Sequence, residues 1–123
     1  MIFDTDVLIW TLRGNEKAAA VVEQDGNRAL SVVSAMELLQ GARDKREMAV
    51  LQRFLLDFET IPLSAEIGQR ARLYMEQYAL KVDMAPMDAL IAATAAERQE
   101  TLCTANLKHY RQISSLALKP FRP

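Results

Sequence analysis

Three carboxylates that lie far apart in the chain carry the chemistry this sequence can offer. Asp4, with Asp6 just behind it, follows the apolar run Met1–Phe3. Glu37 follows a second apolar run, Arg28–Val32, and Asp88 follows Pro86 at the head of a stretch rich in Ala, Leu and Ile. Asn106 closes the group, two residues after a run ending at Thr104. Carboxylates gathered in one place repel each other unless cations compensate them. Oxygen-only donor sets select hard ions such as Mg²⁺ or Mn²⁺. Such ions activate water as a nucleophile and stabilise charge on the attacking and leaving oxygens of a phosphodiester; two-ion sites hold them about 3.5–4 Å apart. The expected chemistry is metal-assisted phosphodiester hydrolysis.

Each acid also has a plain structural reading. Carboxylates in first helical turns are favoured by about 0.3–1 kcal/mol through the helix dipole. Ser34-Ala35-Met36-Glu37 has the form of a capping box, which would make Glu37 its return half. Asp88 has the place of a helix-start acid, and Asp4 and Asp6 could cap a first helix. Asp4 is the hardest to explain this way, because it abuts a buried strand, where an unpaired carboxylate is costly. His109 is the only histidine and lies in a mostly polar stretch, so it reads as a surface or helix-end residue. Alone it cannot build a transition-metal site. Cys103 falls inside an expected strand, where a thiol is inert packing, and no Ser-His-Asp or Cys-His arrangement is supported.

These residues can act together only if the intervening elements bring them together. The pattern predicts strands at Met1–Phe3, Arg28–Val32, Thr60–Leu63, Thr101–Thr104 and Leu116–Leu118. Between them it predicts helices over Val7–Leu12, Lys17–Gln24, Ser34–Ala42, Lys45–Asp57 and Ser64–Leu80, one starting at Pro86, and one over Asn106–Ile113. Strands alternating with helices predict an α/β fold: a short parallel sheet of four to five strands flanked by helices in three layers. In that architecture strand ends and helix starts share one edge, where ligands bind. Asp4, Asp6, Glu37, Asp88 and Asn106 are all expected there.

Composition sets the outer limits. The chain has 123 residues, half of them apolar and a quarter charged, with a net charge of −1. This suits one domain, 1–123, with its own core. The charge argues against binding nucleic acid mainly by counterion release, although bound cations would still attract phosphate. A single cysteine can form no internal disulfide and fits a reducing cytosol. No apolar run reaches the roughly 20 residues of a spanning helix. Met1-Ile2-Phe3-Asp4 does not have the form of a basic leader. A cytoplasmic protein is expected, with no membrane contact.

Four segments, in order, resemble the PIN-domain family, specifically its VapC-like toxin branch. Ile2-Phe3-Asp4-Thr5-Asp6-Val7-Leu8-Ile9 resembles the opening of these proteins, and Ser34-Ala35-Met36-Glu37-Leu38-Leu39-Gln40-Gly41 their second acidic segment. Met87-Asp88-Ala89-Leu90-Ile91-Ala92-Ala93-Thr94-Ala95 resembles the third, and Leu102-Cys103-Thr104-Ala105-Asn106-Leu107-Lys108-His109-Tyr110 the closing segment. The match spans nearly the whole chain. The resemblance implies a Mg²⁺-dependent endoribonuclease, with Mn²⁺ as the alternative ion, in a homodimer held inactive by a cognate antitoxin. It implies that Asp4, Glu37 and Asp88 bind metal and that Thr5 and Asp6 support the first of them. The resemblance further implies that Thr104 and Asn106 would complete the site, Asn106 through a metal-bound water. Many relatives carry a fourth acid near Asn106 and His109; this chain has none there, which weakens a second ion.

Two other readings remain open at this stage. Asp4-Thr5-Asp6-Val7 after an apolar strand also fits the nucleophile motif of haloacid-dehalogenase-type phosphatases, with Asp83 and Asp88 as metal acids. That reading leaves Glu37 unexplained, and the chain is short for that fold. A non-catalytic module binding RNA or protein through the same fold is the other. Trp10, Leu12, Phe54, Tyr74 and Tyr78 are candidate partner contacts, with core packing as the competing role. No aromatic-rich basic motif identifies the RNA target.

Overall fold

The computed structural model describes all 123 residues. Five short strands, β1 (Ile2–Phe3), β2 (Ala29–Ser31), β3 (Glu59–Ile61), β4 (Leu102–Thr104) and β5 (Leu118–Pro120), form one sheet in the order β3-β2-β1-β4-β5. Every neighbouring pair is parallel. The connections carry α1 (Thr5–Leu12), α2 (Glu16–Glu23), α3 (Val32–Gln40), α4 (Lys45–Leu55), α5 (Ala65–Val82), α6 (Pro86–Arg98) and α7 (Leu107–Tyr110).

The three central strands are apolar because helices cover both faces of the sheet. Successive residues feed opposite sides. Ile2, Ala29 and Leu102 join a core with Ile67, Ala71 and Tyr74 of α5 and Ala89, Ala92 and Ala93 of α6. Phe3, Leu30 and Cys103 join a second core with Val7 and Leu8 of α1, Ala18 and Val22 of α2, and Leu38 of α3. The fully buried alanines of α6 present a flat surface that lets this helix lie close to the sheet.

Strand order reverses at β1. The chain steps from β1 outward through β2 to β3, then returns to build β4 on the other side of β1 and β5 beyond it. Adjacent crossovers therefore leave in opposite directions at the carboxyl ends of β1 and β4, the point where such sheets open a crevice.

Several boundaries differ from expectation. α1 begins at Thr5, earlier than Val7, because the Asp4 carboxylate caps it, accepting from Thr5 N at 2.8 Å. The second strand stops at Ser31 rather than Val32, and α3 starts with no loop between. Ser31, not Ser34, is the cap, accepting from Val33 N at 3.1 Å. Glu37 therefore sits in the second turn and closes no capping box. The β-branched pair Val32-Val33 reads locally as strand, but tertiary packing makes it the first turn of a helix. β5 begins at Leu118, with Leu116 buried ahead of it in the core. α7 is one turn long and ends at Tyr110, well short of Ile113.

Candidate active site

The carboxyl ends of β1 and β4 meet through side chains. Thr104, the last residue of β4 and fully buried, donates its hydroxyl to Asp4 Oδ2 at 2.7 Å. Asp4 Oδ1 is taken by Thr5 N, so the carboxylate is fixed from both sides while only 5% exposed. Asp6 points back along the same edge. It accepts from Val7 N at 2.7 Å and from Ala105 N at 3.1 Å, tying the start of α1 to the segment after β4.

Glu37 reaches this edge through Thr5. Thr5 Oγ1 lies 2.7 Å from Glu37 Oε1 and 2.8 Å from the buried Ser34 Oγ. An ionised carboxylate only accepts, so the Thr5 proton goes to Glu37 and Ser34 supplies its own. Asp88, in the first turn of α6, faces the closing segment. Its Oδ2 is 3.0 Å from His109 Nδ1, and its Oδ1 receives a long 3.4 Å contact from the buried Tyr110 hydroxyl. The Asn106 side chain is 2.9 Å from the same His109 nitrogen, and Asn106 N donates to Thr104 Oγ1 at 2.9 Å. Asp4, Thr5, Glu37, Asp88, Thr104 and Asn106 thus lie along one edge in two hydrogen-bonded groups, with Asp6 tied beside them to Val7 N and Ala105 N. One runs from Glu37 through Thr5 to Asp4, the other from Asp4 through Thr104 and Asn106 to His109 and Asp88.

The electrostatics are those of an uncompensated acidic cluster. None of the ion pairs engages Asp4, Asp6 or Glu37, and only His109 reaches Asp88. Burial, followed by repulsion from Asp6, pushes the Asp4 carboxyl up to about 7, against opposing hydrogen bonds from Thr104 and Thr5. Asp6 is also raised, chiefly by burial and then, more weakly, by Asp88. Such a cluster is under electrostatic strain that a cation relieves, and its donors are the hard oxygens that Mg²⁺ and Mn²⁺ favour. No three of these acidic or histidine side chains converge closely enough to form a ready-made chelate. Glu37, exposed and held through one hydroxyl, is the freest to move.

A cleft of about 540 Å³ lies at the opposite edge, among residues at or preceding the starts of β2, β3 and β4. Its Arg98 is already paired with Glu59 and Glu100. It holds no uncompensated group comparable to Asp4.

Two members of this edge were not among the site residues expected from the sequence. His109 is not an isolated surface residue, and Tyr110 is fully buried with its hydroxyl toward Asp88. The signal available was position: both follow β4 closely, as Asn106 does. Of the candidate contact residues, Tyr74 belongs to the core. Phe54 packs on Phe58 with ring centroids 5.1 Å apart, and Tyr78 donates to Gln112 O at 3.3 Å. Trp10 is half-buried beneath Arg13, and Leu12 remains exposed.

A parallel five-stranded sheet with acids gathered where its order reverses defines an α/β protein with an acidic, cation-seeking edge. The chain belongs to the PIN-domain family, whose model matches residues 1–113. Ribonuclease VapC10 of Mycobacterium tuberculosis is 35% identical over 120 residues, covering 94% of this chain and 90% of that protein. Among solved structures, a toxin–antitoxin complex from Klebsiella pneumoniae contains a chain that matches with a TM-score of 0.85 at 27% identity, over 99% of this chain and 98% of that one. VapBC2 from Rickettsia felis, bound to a DNA fragment from its promoter, matches with a TM-score of 0.83 at 25% identity, over 99% and 100% of the two chains.

Proposed function

We propose that this chain, acting as a single unit over residues 1–123, is a divalent-metal-dependent endoribonuclease and the toxin of a toxin–antitoxin pair. The observation that carries the reading is the buried, base-free carboxylate of Asp4, hydrogen-bonded across the point where strand order reverses and flanked by further acids. It occurs in a chain similar over nearly its whole length to a ribonuclease. Family membership and Glu37 together disfavour the phosphatase alternative, which assigns Glu37 no task.

In this reading Asp4, Glu37 and Asp88 would hold the ion, Mg²⁺ in the cell with Mn²⁺ as a substitute. When bound, the ion supplies Lewis acidity toward water and the scissile phosphate. The protein's own work is orientation. Thr104 and Thr5 N fix Asp4; Thr5 steers Glu37; Asp6 pins the segment after β4, so that Asn106 is presented at the same edge. Because burial among acids raises the Asp4 carboxyl to about 7, a bound cation would favour its charged form at neutral pH.

The substrate is RNA, and the partner is a cognate antitoxin, as in the toxin–antitoxin complexes that the fold matches. We place the protein in the cytoplasm as a homodimer; no helix is long and apolar enough to cross a membrane.

The test is cleavage of total RNA by purified protein, with the cut ends sequenced. Activity should require Mg²⁺ or Mn²⁺, stop with EDTA and fall to background in Asp4→Asn, Glu37→Gln and Asp88→Asn variants that remain folded. Cleavage that persists in EDTA, or full activity in Glu37→Gln, would remove the mechanism. Absence of cleavage by a folded, metal-bound wild type would favour a binding module.

A further inference from the structure

We infer that His109 is the positioning residue of Asp88, its Nδ1–H holding Asp88 Oδ2 so that Oδ1 is left as the oxygen available to a divalent ion. This rests on the metal-dependent reading above and adds to it a residue that donates to one of the carboxylates.

The argument begins with the proton. His109 Nδ1 stands 3.0 Å from Asp88 Oδ2. An ionised carboxylate has only acceptor sites, so Nδ1 must carry the hydrogen. The Asn106 Nδ2 is placed 2.9 Å from the same nitrogen; a protonated Nδ1 requires that amide to be turned over, so that its carbonyl oxygen accepts from the shared hydrogen. The reverse arrangement, with the amide donating to a bare Nδ1, would set the ring's lone pair against the remaining acceptor, Asp88 Oδ2. One N–H shared by Asp88 and Asn106 fixes both the tautomer and the plane of the ring.

The anchoring continues backward. Asn106 N donates to Thr104 Oγ1, and Thr104 donates to Asp4 Oδ2. The path Asp4–Thr104–Asn106–His109–Asp88 thus joins two acids 84 residues apart in sequence through the single segment that follows β4. Asp88 Oδ1 has only the long 3.4 Å contact from Tyr110 and is the less committed oxygen. With Nδ1 occupied, the imidazole is not itself a metal ligand through that atom. It orients a ligand by hydrogen bonding, the role outer partners play around metal sites. A donor at 109 restrains Asp88 without adding negative charge to an edge that already carries Asp4, Asp6, Glu37 and Asp88.

Two measurements on the chain test this without RNA. The first is Mn²⁺ affinity, read by electron paramagnetic resonance of the free ion. His109→Ala should bind Mn²⁺ roughly 10–100-fold more weakly, the usual effect of removing such a partner. His109→Asn, whose amide nitrogen falls where Nδ1 stood, should recover most of the affinity. The second is a ¹⁵N spectrum of the imidazole, unambiguous because the chain has one histidine. In the metal-free protein the neutral ring should carry its proton on Nδ1. Wild-type affinity in His109→Ala, or a neutral ring protonated on Nε2, overturns the inference and leaves the ribonuclease reading standing. A wild type that binds no Mn²⁺ overturns both. Should His109→Ala fail to fold, the wild-type spectrum decides alone.

Discussion

At the residue scale, the governing fact is that Asp4 is buried with no basic partner, its carboxyl raised to about 7 from the 3.8 of an unfolded chain. Between these values the folded protein binds a proton that the unfolded chain has released. Stability contributed by Asp4 is therefore complete below about pH 4 and is lost as pH rises toward and through 7. Asp6, raised in the same direction, adds to the loss. In EDTA, Asp4→Asn should be more stable than wild type at pH 8, with a gap on the order of 1–3 kcal/mol that narrows toward pH 5. Thermal melts of both proteins across this range measure it. Saturating Mg²⁺ should close the gap by stabilising only the wild type. An Asp4→Asn protein that melts below wild type at pH 8 would mean that the cap and the Thr104 bond outweigh the electrostatic strain.

At the scale of elements, α3 separates a structural serine from one that serves the acidic edge. Ser31 caps the helix, while Ser34 is buried one turn in and bonds Thr5, which bonds Glu37. Ser31→Ala should lower stability by about 1 kcal/mol in urea denaturation. Glu37→Gln should leave stability within about 0.5 kcal/mol of wild type, since the residue is exposed and caps nothing. Cleavage should respond in the opposite order, surviving in Ser31→Ala and failing in Glu37→Gln. The local sequence pointed to Ser34 as the cap, because Ser34-Ala35-Met36-Glu37 has the form of a capping box while Ser31 read as part of a strand. The immediate turn from β2 into α3 decided between them, and it made Glu37 a free side chain rather than a capping partner.

At the scale of the whole molecule, Cys103 reports on the fold. It lies fully buried in β4, and burial pushes its thiol up to about 11, so the native state should resist alkylation. Labelling followed by mass spectrometry should then track global unfolding. A cation that binds only the folded state at 100 times its Kd stabilises by about 2.7 kcal/mol. Mg²⁺ should therefore slow labelling about a hundredfold in wild type and leave Asp88→Asn unchanged. Rapid labelling of the native protein would show that the sheet opens locally.

Much of this molecule was legible in the order of its residues. Apolar runs of strand length alternating with helical periods implied a covered parallel sheet, because only burial on both faces tolerates Ile2-Phe3 or Leu102-Cys103 with no polar alternate. That architecture in turn put Asp4, Asp88 and Asn106 at strand ends and helix starts. Local pattern could not say which strands are neighbours. The pairing of β4 with β1 is a long-range choice made by the packing of both cores, and it alone brings Thr104 to Asp4 across 100 positions of chain. His109 shows the same limit from the other side. Its type and polar surroundings describe a surface residue, and only the docking of α6 against the segment after β4 sets a carboxylate within reach of its ring.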